Sequence, residues 1–244
     1  MARLGRYFLP DQPFHVIQRG NNRKAIFFSP DDYHRYREWL IGAAAEYDCA
    51  IHAYVLMTNH VHLLVTPGDA ESLPRMMQSL GRNYVRYVNW AYERTGTLWE
   101  GRYRAAPIDS EAHFLSCCRY IELNPVRARM ASHPREYPWS SYRAHAHGAN
   151  DALVSDHALY RMLGRSTRER EKAYRELFRE NLEAEFLAGL RAATNGGWAL
   201  GDDRFKRQIA KAAGRRAAPL PKGRPPKTKK KKRRMKDKPG LAPN

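Results

Sequence analysis

The sequence predicts an α+β fold: a small antiparallel sheet with helices packed on it, then a small helical module and a disordered basic tail. Two observations carry the fold class. Short apolar runs of strand length, CAIHAYVLM (49–57) and HVHLLVT (60–66), are joined by a corner of only Thr58-Asn59. They alternate along the chain with longer runs whose apolar residues recur at spacings of three and four, the helical period. A third observation separates body from tail: of 43 Lys and Arg, 13 fall in residues 215–244 beside a single acid, Asp237.

Taken in order, PFHVIQR (13–19) reads as the first strand and ends at the Gly20-Asn21-Asn22 turn. Ser29-Pro30-Asp31-Asp32 starts a helix, with serine at the cap, proline at the first position and aspartate three after the cap. That helix runs to about Tyr47, with Tyr33, Tyr36, Leu40 and Ala44 on one side. The strands 49–57 and 60–66 follow, and Pro67-Gly68 ends the second. From about Ser72 to Tyr92 a long helix aligns Leu73, Met76, Met77, Leu80, Tyr84, Tyr87 and Val88, and Thr95-Gly96 closes it. GTLWEGRYRAAPI (96–108) reads as strand and loop. Ser110 caps a helix to about Leu123, which Pro125 stops. The order strand, helix, strand, strand, helix, strand, helix is close to the ferredoxin-like pattern and defines a first domain, residues 1–148. A helical accessory module, a candidate DNA-binding clamp, occupies 149–214. There Ser155 caps DHALYRMLG, Ser166 and Glu169 box the start of the next helix, and Asp202 opens DDRFKRQIAKAAG.

The formal net charge of +18 points to a polyanionic partner, nucleic acid or a membrane surface. A hydrophobic fraction of 43% excludes a wholly disordered basic protein. The first 214 residues hold four lysines and 26 arginines, whereas the tail carries KTKKKKRRMKDK. Arginine presents a planar fork to phosphates and base edges, lysine a mobile point charge. The body is therefore suited to specific contacts and the tail to loose attraction. Without an aromatic residue, the tail at 215–244 cannot offset its folding entropy and is expected to be disordered when free. Its KGRPPK contains the Gly-Arg-Pro core of an AT-hook, with Lys222 where that motif usually has arginine. A nonspecific arm and a minor-groove element remain alternatives. Cys49, Cys117 and Cys118 form no CxxC pair, and their odd number argues against a disulfide framework. No apolar stretch approaches the roughly 18 residues of a spanning helix, and the N-terminus meets charge too early for a signal peptide. These features imply a cytoplasmic, nucleoid-associated protein with no membrane partner.

Two motifs carry chemistry. In NHVHLLV, His60 and His62 lie two apart in a strand, so their imidazoles project from one face while Val61 and Leu63 point the other way. Two neutral imidazoles side by side suit a divalent ion, although two solvated surface histidines would look the same. In CCRYIELNPVRA, Tyr120 and Asn124 are four apart and face the same way on a helix. Asn124 offers an amide oxygen to a hard ion and Tyr120 a nucleophilic oxygen, or else a core aromatic ring. Phenols, with a reference pKa of about 10, need a cation or an orienting group to attack at neutral pH. Arg75, Arg82 and Arg86 share a broad face of the 72–92 helix, interleaved with Tyr84 and Tyr87. Arg102 and Arg104 alternate with Trp99 and Tyr103 nearby, and Arg19 and Arg23 flank the Gly-Asn-Asn turn. Arginine forks with aromatic rings are the pairing expected of a single-strand nucleic-acid site; a solvated helix face is the plainer reading for the helical arginines.

YVLMTNHVHLLVTP, LWEGRYRA, RYIELNPVRA and YPWSSYRAH together resemble the REP-associated tyrosine transposases, a branch of the single-tyrosine HUH transposases. The resemblance covers about residues 7–145, and GDDRFKRQIAKAAGRR resembles the end of the same proteins. It implies a ferredoxin-like core that cuts single-stranded DNA near repetitive palindromic hairpins without ATP or an RNA guide. It also implies a histidine pair at His60 and His62, a nucleophile at Tyr120 and a divalent cofactor, Mg²⁺ or Mn²⁺. The wider group often has glutamine four residues after the tyrosine. Asn124 is one methylene shorter, so its ligation could be direct or through water. A zinc-only structural site is the alternative for the metal. For the protein, the alternatives are a hairpin-binding or regulatory relative without chemistry, and an RNA-binding protein of similar shape. Whether it works as a monomer or a homodimer stays open at this level.

Overall fold

The computed structural model describes residues 7–220. Strands β1 (Phe14–Arg19), β2 (Cys49–Met57), β3 (His60–Pro67) and β4 (Arg104–Pro107) form one sheet in the order β2-β3-β1-β4. All three pairings are antiparallel. With α1 (Pro30–Glu46) after β1 and α2 (Ser72–Ala91) after β3, the expected α+β topology is present. The period of two along each strand divides the core. Val16, Val61, Leu63 and Val65 face α1 and α2, where they meet Tyr36, Leu40, Leu80 and Tyr84. Val55, Leu64 and Ala106 face α3 (Ser110–Glu122), against Phe114, Cys117 and Ile121. The three cysteines are buried and free.

Further helices follow: α4 (Asn124–Arg127), α5 (Tyr142–His147), α6 (Ala158–Arg161), α7 (Thr167–Glu176), α8 (Ala184–Gly196) and α9 (Asp203–Ala212). Those beyond residue 149 do not all stand apart from the sheet. Phe186, Leu190 and Ala193 of α8 belong to the same apolar cluster as Leu64 and Ile121. Among the described residues no helix is long and apolar enough to cross a membrane.

Several local starts match the sequence. The Asp32 carboxylate accepts the Ser29 amide at 2.9 Å, and its oxygens also accept the hydroxyls of Tyr87 and Tyr92, joining the start of α1 to the end of α2. Ser166 and Glu169 form the expected box, and Asp202 Oδ1 accepts the Phe205 amide. Two starts differ. Ser110 is the first residue of α3 rather than its cap: the Asp109 amide is held by the Leu200 carbonyl at 2.8 Å, which sets the chain's entry one residue earlier. Ser155 caps nothing, because its backbone is committed to β2 through Ile51 O and the His52 ring. His157 Nδ1 caps α6 instead. The helix opened by Ser166 and Glu169 ends at Glu176 and the chain breaks over 177–183, where Arg119 of α3 donates to the Glu180 carbonyl, before α8 begins. At the C-terminal end, the Ala217 carbonyl accepts from Ala199, so the packed body extends past the 215 boundary that composition suggests. The remainder of the basic tail, 221–244, lies outside the described residues.

Candidate active site

β3 places His60 and His62 on the α3 face of the sheet, with ring centroids 5.0 Å apart. Each ring has its Nδ1 occupied. Asn59 Oδ1 lies 2.6 Å from His60 Nδ1, and His15 Nε2 lies 2.8 Å from His62 Nδ1. Neither Nε2 makes a hydrogen bond among the described residues, so both are available to a ligand. Burial, with Arg19 nearby, pushes the His60 pKa down to about 4. Burial holds His62 well below the usual histidine range, helped by the proximity of His15 and His60, which disfavours a second charge, and by the positive charges of Arg127 and Arg19. Both rings are therefore neutral at pH 7, the form that ligates a cation.

α3 brings Tyr120 against His62. Its ring stands edge-on to His15 and to His62, each at 5.7 Å between centroids, and the residue is 6% exposed. All these groups belong to one chain. α3 is fixed from behind by Glu122, two residues on and fully buried. One carboxyl oxygen accepts from Ser141 at 2.6 Å and pairs with His145 at 2.8 Å; the other accepts from Tyr174 at 2.8 Å. This explains the joint presence of RYIELN and WSSYRAH: Ser141 and His145 are the partners of Glu122.

Asn124 lies just past the end of α3, where its amide nitrogen donates to the carbonyls of Tyr120 and Ile121, each at 3.1 Å. Its side-chain oxygen is the atom left to offer a cation. Among the described residues no three His, Cys, Asp or Glu side chains converge on one point. A cation here would take two imidazoles with an amide or water oxygen. That mixed donor set fits Mn²⁺ better than the all-oxygen surroundings Mg²⁺ prefers.

The arginines divide into two groups. Arg19 lies opposite His60 in the ladder and shares a recess with Arg102, Arg104, Ile17 and Asn195 beside the histidines. Arg23 is exposed on the adjoining turn, whose backbone is tied by the Asn59 amide to its carbonyl at 2.9 Å. Asn59 thus holds both the turn and the His60 ring. Arg75, Arg82 and Arg86 are exposed on α2, across the sheet from the histidines, where they line a groove with Gln18, Trp99 and Tyr103. Arg102 borders both recess and groove. None of these arginines forms an ion pair among the described residues. Tyr84, read as interleaved with them, is fully buried and donates to the Ile26 carbonyl at 2.6 Å, so its ring is unavailable for stacking.

Two residues at the site escape the sequence reading. His15 contacts both His62 and Tyr120. Arg127 places its guanidinium 4.2 Å over the Tyr120 ring and donates to the Tyr120 carbonyl at 2.8 Å. The only sequence signal for Arg127 was its place in NPVRA.

Residues 10–124 match the family model described as "Transposase IS200 like". No curated protein matches. Among solved structures, the chain shares its fold with a REP-associated tyrosine transposase bound to a REP hairpin, at 18% identity and a TM-score of 0.52, covering 65% of this chain and 96% of that one. A putative transposase from Deinococcus radiodurans R1 is 20% identical, with a TM-score of 0.34, over 50% of this chain and 96% of that one. His15, His60, His62, Tyr120 and Asn124 all fall within the matched stretch, and residues 10–124 of this chain are homologous to the IS200-like transposases.

Proposed function

We propose that this protein is a metal-dependent single-stranded DNA transposase and endonuclease of the REP-associated tyrosine type, which cleaves and rejoins DNA at palindromic hairpins. The observation that carries the reading is the contact of Tyr120 with His62, one of two adjacent neutral histidines, inside one chain. His60 and His62, with Asn124, would hold Mg²⁺ or Mn²⁺, which when bound polarises the scissile phosphate. The Tyr120 oxygen attacks phosphorus, a 5′-phosphotyrosine bond forms, and the broken P–O bond leaves a 3′-hydroxyl. Because one phosphoester replaces another, a second 3′-hydroxyl can reverse the step without ATP. Arg127, stacked on the tyrosine, supplies positive charge beside the reacting phosphate.

Arg19, Arg23, Arg102 and Arg104 bind phosphates close to the cut. Arg75, Arg82 and Arg86, with the edges of Trp99 and Tyr103, hold DNA in the groove across the sheet. Arg102 lies where a strand would pass from one side to the other. The partner is a single-stranded hairpin of a repetitive palindrome, and the homologous solved structure holds such a hairpin.

Incubation with a labelled single-stranded hairpin and Mn²⁺ or Mg²⁺, resolved on a denaturing gel, should show a covalent protein–DNA species. Tyr120→Phe should lose that species and keep hairpin binding. Tight binding without any adduct in the unaltered protein would instead indicate a DNA-binding relative without chemistry.

A further inference from the structure

We propose that His15 and Thr194 are positioning residues that determine which ring nitrogen His62 presents to a cation; the inference rests on the cation-binding role proposed for His62. His15 belongs to β1, outside the HVH motif, and sits diagonally from His62 in the β1–β3 ladder. The two rings are nearly parallel, at 9° and 5.0 Å between centroids, and His15 Nε2 is 2.8 Å from His62 Nδ1. On its other side, His15 Nδ1 is 2.7 Å from Thr194 Oγ1, on α8. All three side chains are at most 3% exposed, so water does not readily replace any link.

Neutral imidazole carries one proton, and two ring nitrogens at this separation must share a single N–H between them. The chain therefore has two arrangements. In the first, His62 Nδ1–H donates to His15 Nε2, and His15 Nδ1–H donates to Thr194 Oγ1. The His62 proton is then on Nδ1, and the lone pair of Nε2 is free for a cation. In the second, every donor reverses: Thr194 donates to His15, and His15 donates to His62 Nδ1. His62 then carries its proton on Nε2 and has no lone pair to offer there. Only the first arrangement makes His62 a ligand through the nitrogen left free by the fold. An outer partner of this kind fixes both the tautomer and the rotation of the ligating ring.

The same chain of contacts gives α8 a part in the site. Thr194 reaches His15 from 179 residues away in sequence. Asn195, next to it, accepts a hydrogen bond from Arg104. The helical segment beyond residue 149 thus supports the histidine pair.

The test is Mn²⁺ affinity of the full chain, by calorimetric titration without DNA, with thermal melts to establish that each variant is folded. His15→Phe keeps the ring shape and removes the acceptor; Mn²⁺ affinity should fall about 10- to 100-fold. His15→Gln, whose amide oxygen can accept from His62, should recover part of the loss. Thr194→Val should weaken Mn²⁺ binding less than His15→Phe, and Thr194→Ser should restore it; this pair also decides the matter if His15→Phe fails to fold. A folded His15→Phe, or in its place a folded Thr194→Val, with unaltered Mn²⁺ affinity would overturn the proposal. His60→Ala is the control. If it leaves Mn²⁺ affinity unchanged, the cation site itself is wrong, which is a different failure from loss of binding in His60→Ala with no effect at His15.

Discussion

On the α1–α2 face of the sheet, β1 and β3 contribute Phe14, Val16, Val61, Leu63 and Val65 to an aromatic and aliphatic core. On the α3 face, the alternate positions of the same strands include His15, His60 and His62 beside Leu64, and the helix that carries Tyr120 and Glu122 packs on this face. The polar groups of this second face form connected sets: Thr194–His15–His62, Asn59–His60, and Glu122 with Ser141, His145 and Tyr174. On the first face the buried polar groups away from the strands gather on one residue, Asp32, which accepts from Ser29, Tyr87 and Tyr92, whereas the groups nearest the strands, Gln18 Oε1 and Trp99 Nε1, have no hydrogen-bond partner among the described residues. Burying polar groups costs free energy unless each is satisfied, so a face that must present neutral histidines and a tyrosine needs a supporting network. On the first face the strands themselves contribute mainly apolar side chains, and α2 is held by that packing together with the hydrogen bonds of Tyr84 to Ile26 and of Tyr87 and Tyr92 to Asp32.

The largest expected difference between the faces is in chemistry. His62→Ala should reduce single-turnover cleavage of a hairpin more than about 100-fold, exceeding the usual cost of losing an outer partner. Arg82→Ala, across the sheet, should leave the cleavage rate of fully bound DNA close to the original. Equal rate losses at the two positions would remove the functional distinction.

Stability should follow the same asymmetry. Glu122→Ala leaves Ser141, His145 and Tyr174 without their shared acceptor and should cost about 3–5 kcal/mol in urea unfolding. Tyr84→Phe, which loses one hydrogen bond to Ile26, should cost about 1 kcal/mol.

The response to acid should also come from the α3 face. Burial lowers His15 to about 3, and His52 and His60 to about 4, while His62 is shifted in the same direction. The unfolded chain takes up these protons near pH 6.5 and the folded chain only at lower pH. Their contribution to stability is present above pH 6.5 and is lost as pH falls toward 4. The melting temperature of the metal-free protein should drop over that window. A melting temperature that rises there would contradict neutral burial of the histidines.

The smallest effect belongs to the groove. Arg82→Ala should weaken binding of cognate and scrambled strands alike and reduce the salt slope by about one counterion.

Much of this architecture is legible from local pattern. Alternation in HVHLLV separates the histidines from Val61 and Leu63, and Ser29 with Asp32 marks the start of α1. What local pattern lacks is the identity of the face on which each element packs. Helical spacing puts the α2 arginines on one broad face but does not say which side of the sheet that helix covers, and α2 lies on the side away from the histidines. Tyr84 shares the helical spacing of Leu80 and Val88 and goes into the core with them. His15 gives no signal of its own, because the residues that explain it, His62 and Thr194, are brought to it by strand pairing and by a helix late in the chain. Asn124 continues the helical spacing from Tyr120, but α3 ends before it and its amide nitrogen turns back to cap the helix.

The central claim is that the α3 face carries the reaction and that Tyr120 is the attacking group. Peptide mapping of the DNA adduct formed with a labelled single-stranded hairpin and Mn²⁺ tests it most directly. The expected result is a single DNA-linked peptide containing Tyr120, with the label on a 5′-phosphate and no adduct when chelator is present. A linkage to Tyr87, Tyr103 or any other residue of the groove face, or an adduct that forms at full yield in chelator, would contradict the assignment.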